Sequence, residues 1–111
     1  MIFHMLERRA WMTAEIAGEY RPPSLVAEGF IHFSTRDQVV RVANFHYRDA
    51  RDLVLLEVDE DKLDGEVRYE SAEDLNEKFP HLYAPLNLDA VIHVHEFSAG
   101  ADGTYSLPPT L

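Results

Sequence analysis

The order of apolar and polar side chains along the chain predicts several short β-strands. Residues 2–6, 66–70 and 90–97 are rich in strand-forming side chains, and 66–70 alternates strictly between apolar and polar positions. The segment 52–58 is almost continuously apolar, which is typical of a strand that is buried on both faces. Residues 79–86 carry two prolines, which restrict this segment to a short strand bounded by turns.

Apolar residues at helical spacing predict two α-helices, over residues 7–18 and 36–46. Gly18 suits the end of the first helix, because glycine readily adopts the left-handed conformation found there. Thr35 and Gln38 have the spacing of a capping box at the start of the second helix.

The remaining segments predict loops, and the length of the chain predicts one domain. Residues 19–27 contain adjacent prolines and residues 71–78 are polar, so we expect no regular structure in either segment. A chain of 111 residues has room for one hydrophobic core. The sequence therefore predicts a single α+β domain over residues 1–111, with two helices and five or six short strands.

A further strand, rich in aromatic residues, presents polar side chains on one face. Alternate side chains of a strand face the same way, so Phe30, His32 and Ser34 share a face. Ile31 and Phe33 then point into the core. A histidine and a serine two residues apart on a stiff strand can both reach one ligand.

The junction after this strand offers a second reason to expect a ligand. Where the strand ends at Thr35 and a helix begins, free backbone N–H groups suit an anion or a phosphate. The alternative is purely structural: His32 is a half-buried histidine with satisfied hydrogen bonds, and Ser34 is a second cap. The strand alone leaves both interpretations open.

Composition and charge exclude several classes of function. The absence of cysteine rules out a disulfide, a thiolate nucleophile and a cysteine-bound zinc. No apolar run approaches the ~20 residues of a membrane helix, and the N-terminus lacks a signal pattern, so we expect a cytoplasmic protein. The net charge is −10, and residues 52–111 carry −11 of it against +1 for residues 1–51. Such an acidic chain repels nucleic acids and membranes, although the arginines of its first half could hold one phosphate.

Six histidines raise the question of a metal site. His93 and His95 lie on one face of a predicted strand, and imidazoles suit zinc, copper or iron. The nearest carboxylate in sequence, Glu96, points the opposite way, so we expect no metal. The chain also lacks a Gly-x-Ser-x-Gly elbow, a Gly-x-Gly-x-x-Gly loop and a Walker loop.

Two dense motifs carry a resemblance to a known family: Gly-Phe-Ile-His-x-Ser at 29–34 and Phe-Pro-His-Leu-Tyr at 79–83. Ile-Phe-His at 2–4 precedes them. Over residues 2–97 the chain resembles the small bacterial family catalogued as domain of unknown function 952 (DUF952). That family is similar in fold to ADP-ribosyltransferases, which implies a split, mixed β-sheet with short helices and a central cleft for NAD or a related nucleotide.

The resemblance implies roles for individual residues. The residues predicted to bind the nucleotide are His4, Ser34, Thr35 and Tyr83. The residues predicted to be catalytic are His32, His81 and Glu70. ADP-ribosyltransferases place a glutamate where charge develops on the ribose, but this chain offers His81 and Tyr83 in that region. Glu70 is the nearest carboxylate, and the sequence does not show whether it reaches the cleft.

Two functions of different classes follow. The first is an enzyme that transfers or removes an ADP-ribosyl or phosphate group, for which Arg8, Arg9 and Arg36 are candidate phosphate ligands. The second is a non-catalytic module that binds a small anion or a protein partner. The sequence leaves the oligomeric state undetermined.

Overall fold

The computed structural model describes residues 1–71 and 76–111 and contains eight strands and three α-helices in these ranges. In chain order they are β1 (Ile2–Glu7), α1 (Arg8–Ala17), β2 (Glu19–Tyr20), α2 (Pro23–Ala27), β3 (Ile31–His32), α3 (Arg36–His46), β4 (Leu53–Val58), β5 (Val67–Ser71), β6 (Lys78–Leu82), β7 (Leu86–Asn87) and β8 (Val91–Phe97). Short 3₁₀ turns occupy Glu60–Lys62 and Leu88–Ala90. Residues 72–75, within the predicted loop 71–78, lie outside the described residues.

The strands form three small sheets, with the orders β1-β4-β8, β2-β7 and β3-β6-β5. This arrangement confirms an α+β domain. All the strand pairs of the described residues are antiparallel, so the expectation of a mixed sheet is wrong. The strand count exceeds five or six because β2 and β7, which were not predicted, have only two residues each, too few to leave a periodic pattern in the sequence.

The strand β4 lies at the centre of the first sheet and is buried on both faces, as its apolar run predicts. Val54 and Leu56 face a core that is closed by α1 and the smaller sheets. Leu53 and Leu55 face a second core, which is closed by α3 and the C-terminal segment through Tyr105. These four β4 residues are at most 1% exposed.

The helices begin and end where local chemistry favours it. The helix α1 ends at Gly18, whose φ of 87° allows its N–H to donate to the carbonyl of Ala14 at 2.8 Å. The helix α3 begins after a capping box, in which the backbone N–H of Thr35 donates to Gln38 at 2.9 Å. No helix of the described residues has the length and apolarity needed to cross a membrane.

The predicted loop at 19–27 is wrong in part, because Pro23–Ala27 forms the short helix α2. Pro23 occupies the first turn, where the backbone N–H would have no partner inside the helix. Adjacent prolines therefore start this helix instead of preventing it.

The segment that follows α2 connects two sheets. Ile31 and His32 pair with Leu82 and His81 of β6, and Ser34 then forms an isolated bridge with Phe3 of β1. Ladder pairing with β6 ends early because Pro80 accepts from the N–H of Phe33 at 2.9 Å but has no N–H to return. Ile31 and Phe33 are buried in the core, as predicted.

Candidate functional site

The strands β3 and β6 place two histidines side by side. His32 and His81 are opposite each other in the register of the two strands. Their ring centroids are 5.3 Å apart, and the rings meet at 76°. The side chain of His32 is 53% exposed, whereas that of His81 is 7% exposed. The pair therefore combines one solvent-facing imidazole with one that is held within the protein.

Each of the two imidazoles has its own carboxylate partner. Nε2 of His32 lies 2.8 Å from Glu28, the residue that follows α2. Nδ1 of His81 lies 2.9 Å from Glu70 on β5. A carboxylate accepts, so each of these ring nitrogens carries the donating hydrogen. In the neutral form of His81, Nε2 is then left as the basic nitrogen.

Two aromatic side chains enclose the histidine pair. The ring of Phe30 lies 4.0 Å from that of His81 and stacks on Tyr83, with centroids 5.3 Å apart. The hydroxyl of Tyr83 donates to the same oxygen of Glu70 that contacts His81. The guanidinium of Arg68 lies 4.5 Å above the ring of Tyr83. We refer to His32, His81, Glu28, Glu70, Phe30, Tyr83 and Arg68 as the histidine cluster.

The hydrogen bonds to Glu70 favour its ionised form. The bonds from Tyr83 and then from His81 hold the pKa of Glu70 below its ordinary value. The same bond to Glu70 raises the pKa of Tyr83. At neutral pH the cluster therefore combines an ionised carboxylate, a neutral phenol that donates to it, and an imidazole that it orients.

His4 lies behind the pair and has both ring nitrogens engaged. Nδ1 donates to the backbone carbonyl of His32 at 2.6 Å, and Nε2 lies 3.0 Å from the hydroxyl of Tyr20. Burial lowers the pKa of His4 to about 4, so the ring is neutral at pH 7. The tyrosine hydroxyl must then donate to Nε2. His4 supports the backbone of His32, while its predicted contact with a ribose remains a prediction.

Ser34 and Thr35 have contacts with other parts of the fold. Ser34 is buried, and its N–H donates to the carbonyl of Phe3 at 2.8 Å. The N–H of Thr35 is used by Gln38. The expected free N–H groups at this junction are therefore absent at both residues. Arg8 is also engaged, since its guanidinium pairs with Asp52 and Glu96.

Comparison with known proteins assigns the chain to the family that the two sequence motifs predict. A family model described as "Protein of unknown function (DUF952)" matches residues 5–94. The chain belongs to this DUF952 family. This confirms the family predicted from the sequence, although the further likeness to ADP-ribosyltransferases stays a prediction.

Two solved structures of a protein from Caulobacter crescentus resemble this DUF952 protein. The crystal structure of protein CC0527 is 32% identical, with a TM-score of 0.85, and the match covers 96% of this chain and 93% of that one. The solution NMR structure of the same protein gives 32% identity and a TM-score of 0.85, with 99% and 95% of the two chains covered. Among curated proteins, no relative matches the chain.

The histidines of β8 form a separate group in this DUF952 protein. His95 is buried, with Nε2 at 2.8 Å from Glu57 and Nδ1 at 2.7 Å from the hydroxyl of Thr110. His93 is exposed, and its ring centroid lies 5.7 Å from that of His95. No group of three metal-ligating side chains occurs within residues 1–71 and 76–111. His95 thus fastens the C-terminal segment to the first sheet.

Sequence reasoning missed two members of the histidine cluster, Glu28 and Arg68. Glu28 precedes His32 by four residues, and this spacing brings two side chains together only in a helix or a tight turn. The alternation along β5 predicted that Arg68 and Glu70 share one face, but it did not connect that face with the histidines. Two surface grooves, of about 360 and 340 Å³, lie away from His32 and His81. The cluster thus lies outside both grooves.

Proposed function

We propose that this DUF952 protein is an enzyme that binds an NAD-like nucleotide at the histidine cluster and transfers or removes its ADP-ribosyl group. The observation that carries the proposal is the adjacent pair of imidazoles, each held by its own carboxylate. The orienting carboxylate of Glu70 leaves Nε2 of His81 as the proton acceptor, which is the arrangement of a general base.

The charge of the cluster favours ribosyl transfer over phosphate transfer. Breaking the bond between the ribose C1′ and the nicotinamide nitrogen sends the electron pair to nitrogen and releases neutral nicotinamide. Positive charge develops on the ribose, and the ionised carboxylate of Glu70 stabilises it. A phosphoryl group at this reacting position would bring its negative charge against Glu28 and Glu70, so the diphosphate of the nucleotide lies away from these carboxylates.

The second half of the reaction assigns a role to each histidine. The oxygen of water, or of an acceptor hydroxyl, attacks C1′ while Nε2 of His81 takes its proton. His32, exposed beside His81, contacts the incoming nucleotide, and the ring of Phe30 offers an apolar surface for the nicotinamide. No metal ion is needed to balance these steps.

Calorimetric titration tests the binding half of the proposal. We expect heat of binding for NAD and ADP-ribose, unchanged by a chelator, and weaker or no heat for a 2′-phosphorylated nucleotide. His32→Ala should weaken binding, whereas His46→Ala, at an exposed histidine on α3, should leave it unchanged. Absence of heat for every ligand at millimolar concentration would favour the non-catalytic module.

Release of nicotinamide, measured by chromatography, tests the catalytic half. We expect Glu70→Gln to lower the rate on the order of a hundredfold or more, because the amide keeps the hydrogen bonds and loses the charge. The matched control is Glu15→Gln, which alters an exposed carboxylate on α1 outside the histidine cluster. Equal rates for both variants would contradict the role of Glu70.

A further inference from the structure

The strand β8 forms one end of the first sheet, and in the described parts of the chain no strand pairs with its outer side. It has seven residues, of which none is proline or lysine, and its one carboxylate, Glu96, pairs with Arg8 of α1. Proteins usually protect such an edge with a charge, a proline or a covering segment, because its free N–H and C=O groups can pair with another strand. An edge of this length that lacks both residues is suited to bind an extended segment.

A groove of about 360 Å³ runs beside this edge. It is lined by Trp11 and Glu15 of α1, by Leu88, and by four successive residues of β8, Val91 to Val94. Because successive residues of a strand point to opposite faces, lining by all four places the groove along the side of the strand. Val94 is 43% exposed, so α1 leaves part of β8 uncovered.

Charge identifies the occupant of this groove. Glu15 is the one carboxylate among the lining residues, which include no lysine or arginine. Residues 52–111 carry a net charge of −11. A second copy of the chain would bring the same negative charge to the contact, whereas a basic segment would be attracted.

We propose that the groove between α1 and β8 binds an extended peptide that presents both apolar and basic side chains on the face towards α1 and adds a fourth strand to the first sheet. The backbone of the peptide pairs with the free edge of β8. Its apolar side chains pack on Trp11 and Ile92, and a basic side chain pairs with Glu15. This interaction is independent of the chemistry at the histidine cluster.

Trp11 fluorescence reports peptide binding in the groove, because Trp11 is the single tryptophan of the chain and lines the groove. The probe is a short peptide in which pairs of valines and pairs of lysines alternate, so that each face of the extended chain carries both residues. It is capped at both ends and labelled for fluorescence anisotropy. We expect a saturable change in Trp11 emission together with a rise in peptide anisotropy. Glu15→Lys should weaken binding roughly tenfold, whereas Asp49→Lys, at an exposed acid on another part of the surface, should have little effect.

Two altered peptides test the mode of binding. N-methylation of the central amides removes the backbone donors and keeps the side chains, and we expect it to abolish binding. Replacing lysine by glutamate should also abolish it. Equal binding of either altered peptide, or no response to the original peptide at millimolar concentration, would overturn the proposal. Concentration-dependent dimerisation of the protein alone, with a shift of Trp11 emission, would show that a second copy is the occupant instead.

Discussion

The histidines on the three strands β1, β3 and β6 differ in what their side chains contact. His4 donates to the backbone of His32 and accepts from Tyr20, so the protein fixes its tautomer. His32 is exposed and pairs with Glu28 at the surface. His81 is buried and is oriented by Glu70. The sequence showed these histidines as equivalent candidates, but their surroundings separate a supporting residue from two that can meet a ligand.

Substitutions at His32 and Phe33 should have very different effects on stability. His32→Ala removes a side chain that is 53% exposed, so we expect the free energy of unfolding to change by no more than about 0.5 kcal/mol. Phe33, which is 2% exposed, leaves a cavity when it is replaced by Ala, at a cost of ~3–5 kcal/mol. Urea denaturation of both variants measures the difference. A His32→Ala protein that unfolds far more easily, and binds NAD as well as the wild type, would assign this residue a structural role.

The lowered pKa of His4 predicts a loss of stability in acid. The pKa is about 4 in the folded protein against an ordinary value of 6.5, so the unfolded chain binds a proton more readily between these values. The stabilisation is therefore complete above pH 6.5 and declines as the pH falls towards 4 and below, by up to about 3 kcal/mol in total.

A variant that does not titrate isolates this effect. His4→Asn keeps a donor for the carbonyl of His32 and lacks the ionisable ring. Denaturant melts at several pH values should give a shallower decline for the variant between pH 6.5 and 4. Parallel curves for the two proteins would show that another group causes the acid sensitivity.

At the scale of elements, the spacing of apolar side chains predicted a helix or strand correctly where the element is long enough for the spacing to recur. The bounds of α3 and the two-sided burial of β4 agree with the prediction. The strands β2 and β7 and the helix α2 were not predicted, since their structure depends on partners that are distant in sequence or on where a proline falls in a helix. The same limit applied to the site. The motifs located His32 and His81, whereas their contacts with Glu28 and Glu70 depend on a helix end and on pairing between strands.

Gly18 allows a test of local backbone energetics at the end of α1. Its φ of 87° disfavours any side chain, while no atom lies within 4 Å of an added Cβ. Gly18→Ala should therefore cost roughly 1 kcal/mol through backbone strain alone. Gly100→Ala is the control, because Gly100 lies outside the positive-φ region and its added Cβ meets only ordinary contacts of 3.5 Å or more. Equal stability of the two variants, measured by thermal unfolding, would contradict this explanation.

At the scale of the whole molecule, the first sheet separates two hydrophobic cores. One core lies towards α1 and the two small sheets, of which β3-β6-β5 carries the histidine cluster. The other lies towards α3 and includes Phe97 and Tyr105. Ser34 and His4 connect the small sheet of the cluster to β1, so the positions of the catalytic candidates depend on the first sheet. Substitutions in β1 should therefore disturb the site without touching a ligand.

The strand order β1-β4-β8 also has a consequence for how the chain folds. Its central strand pairs with a strand that begins at residue 2 and with another that ends at residue 97. Forming contacts between residues so distant in sequence closes long loops and costs chain entropy. Burial of apolar side chains compensates this entropy only after the loops have closed, so such pairing slows folding. During synthesis β1 and β4 can pair early, but the edge of β4 that later joins β8 stays open until β8 has left the ribosome. In that interval the most apolar strand of the chain is exposed to other nascent chains.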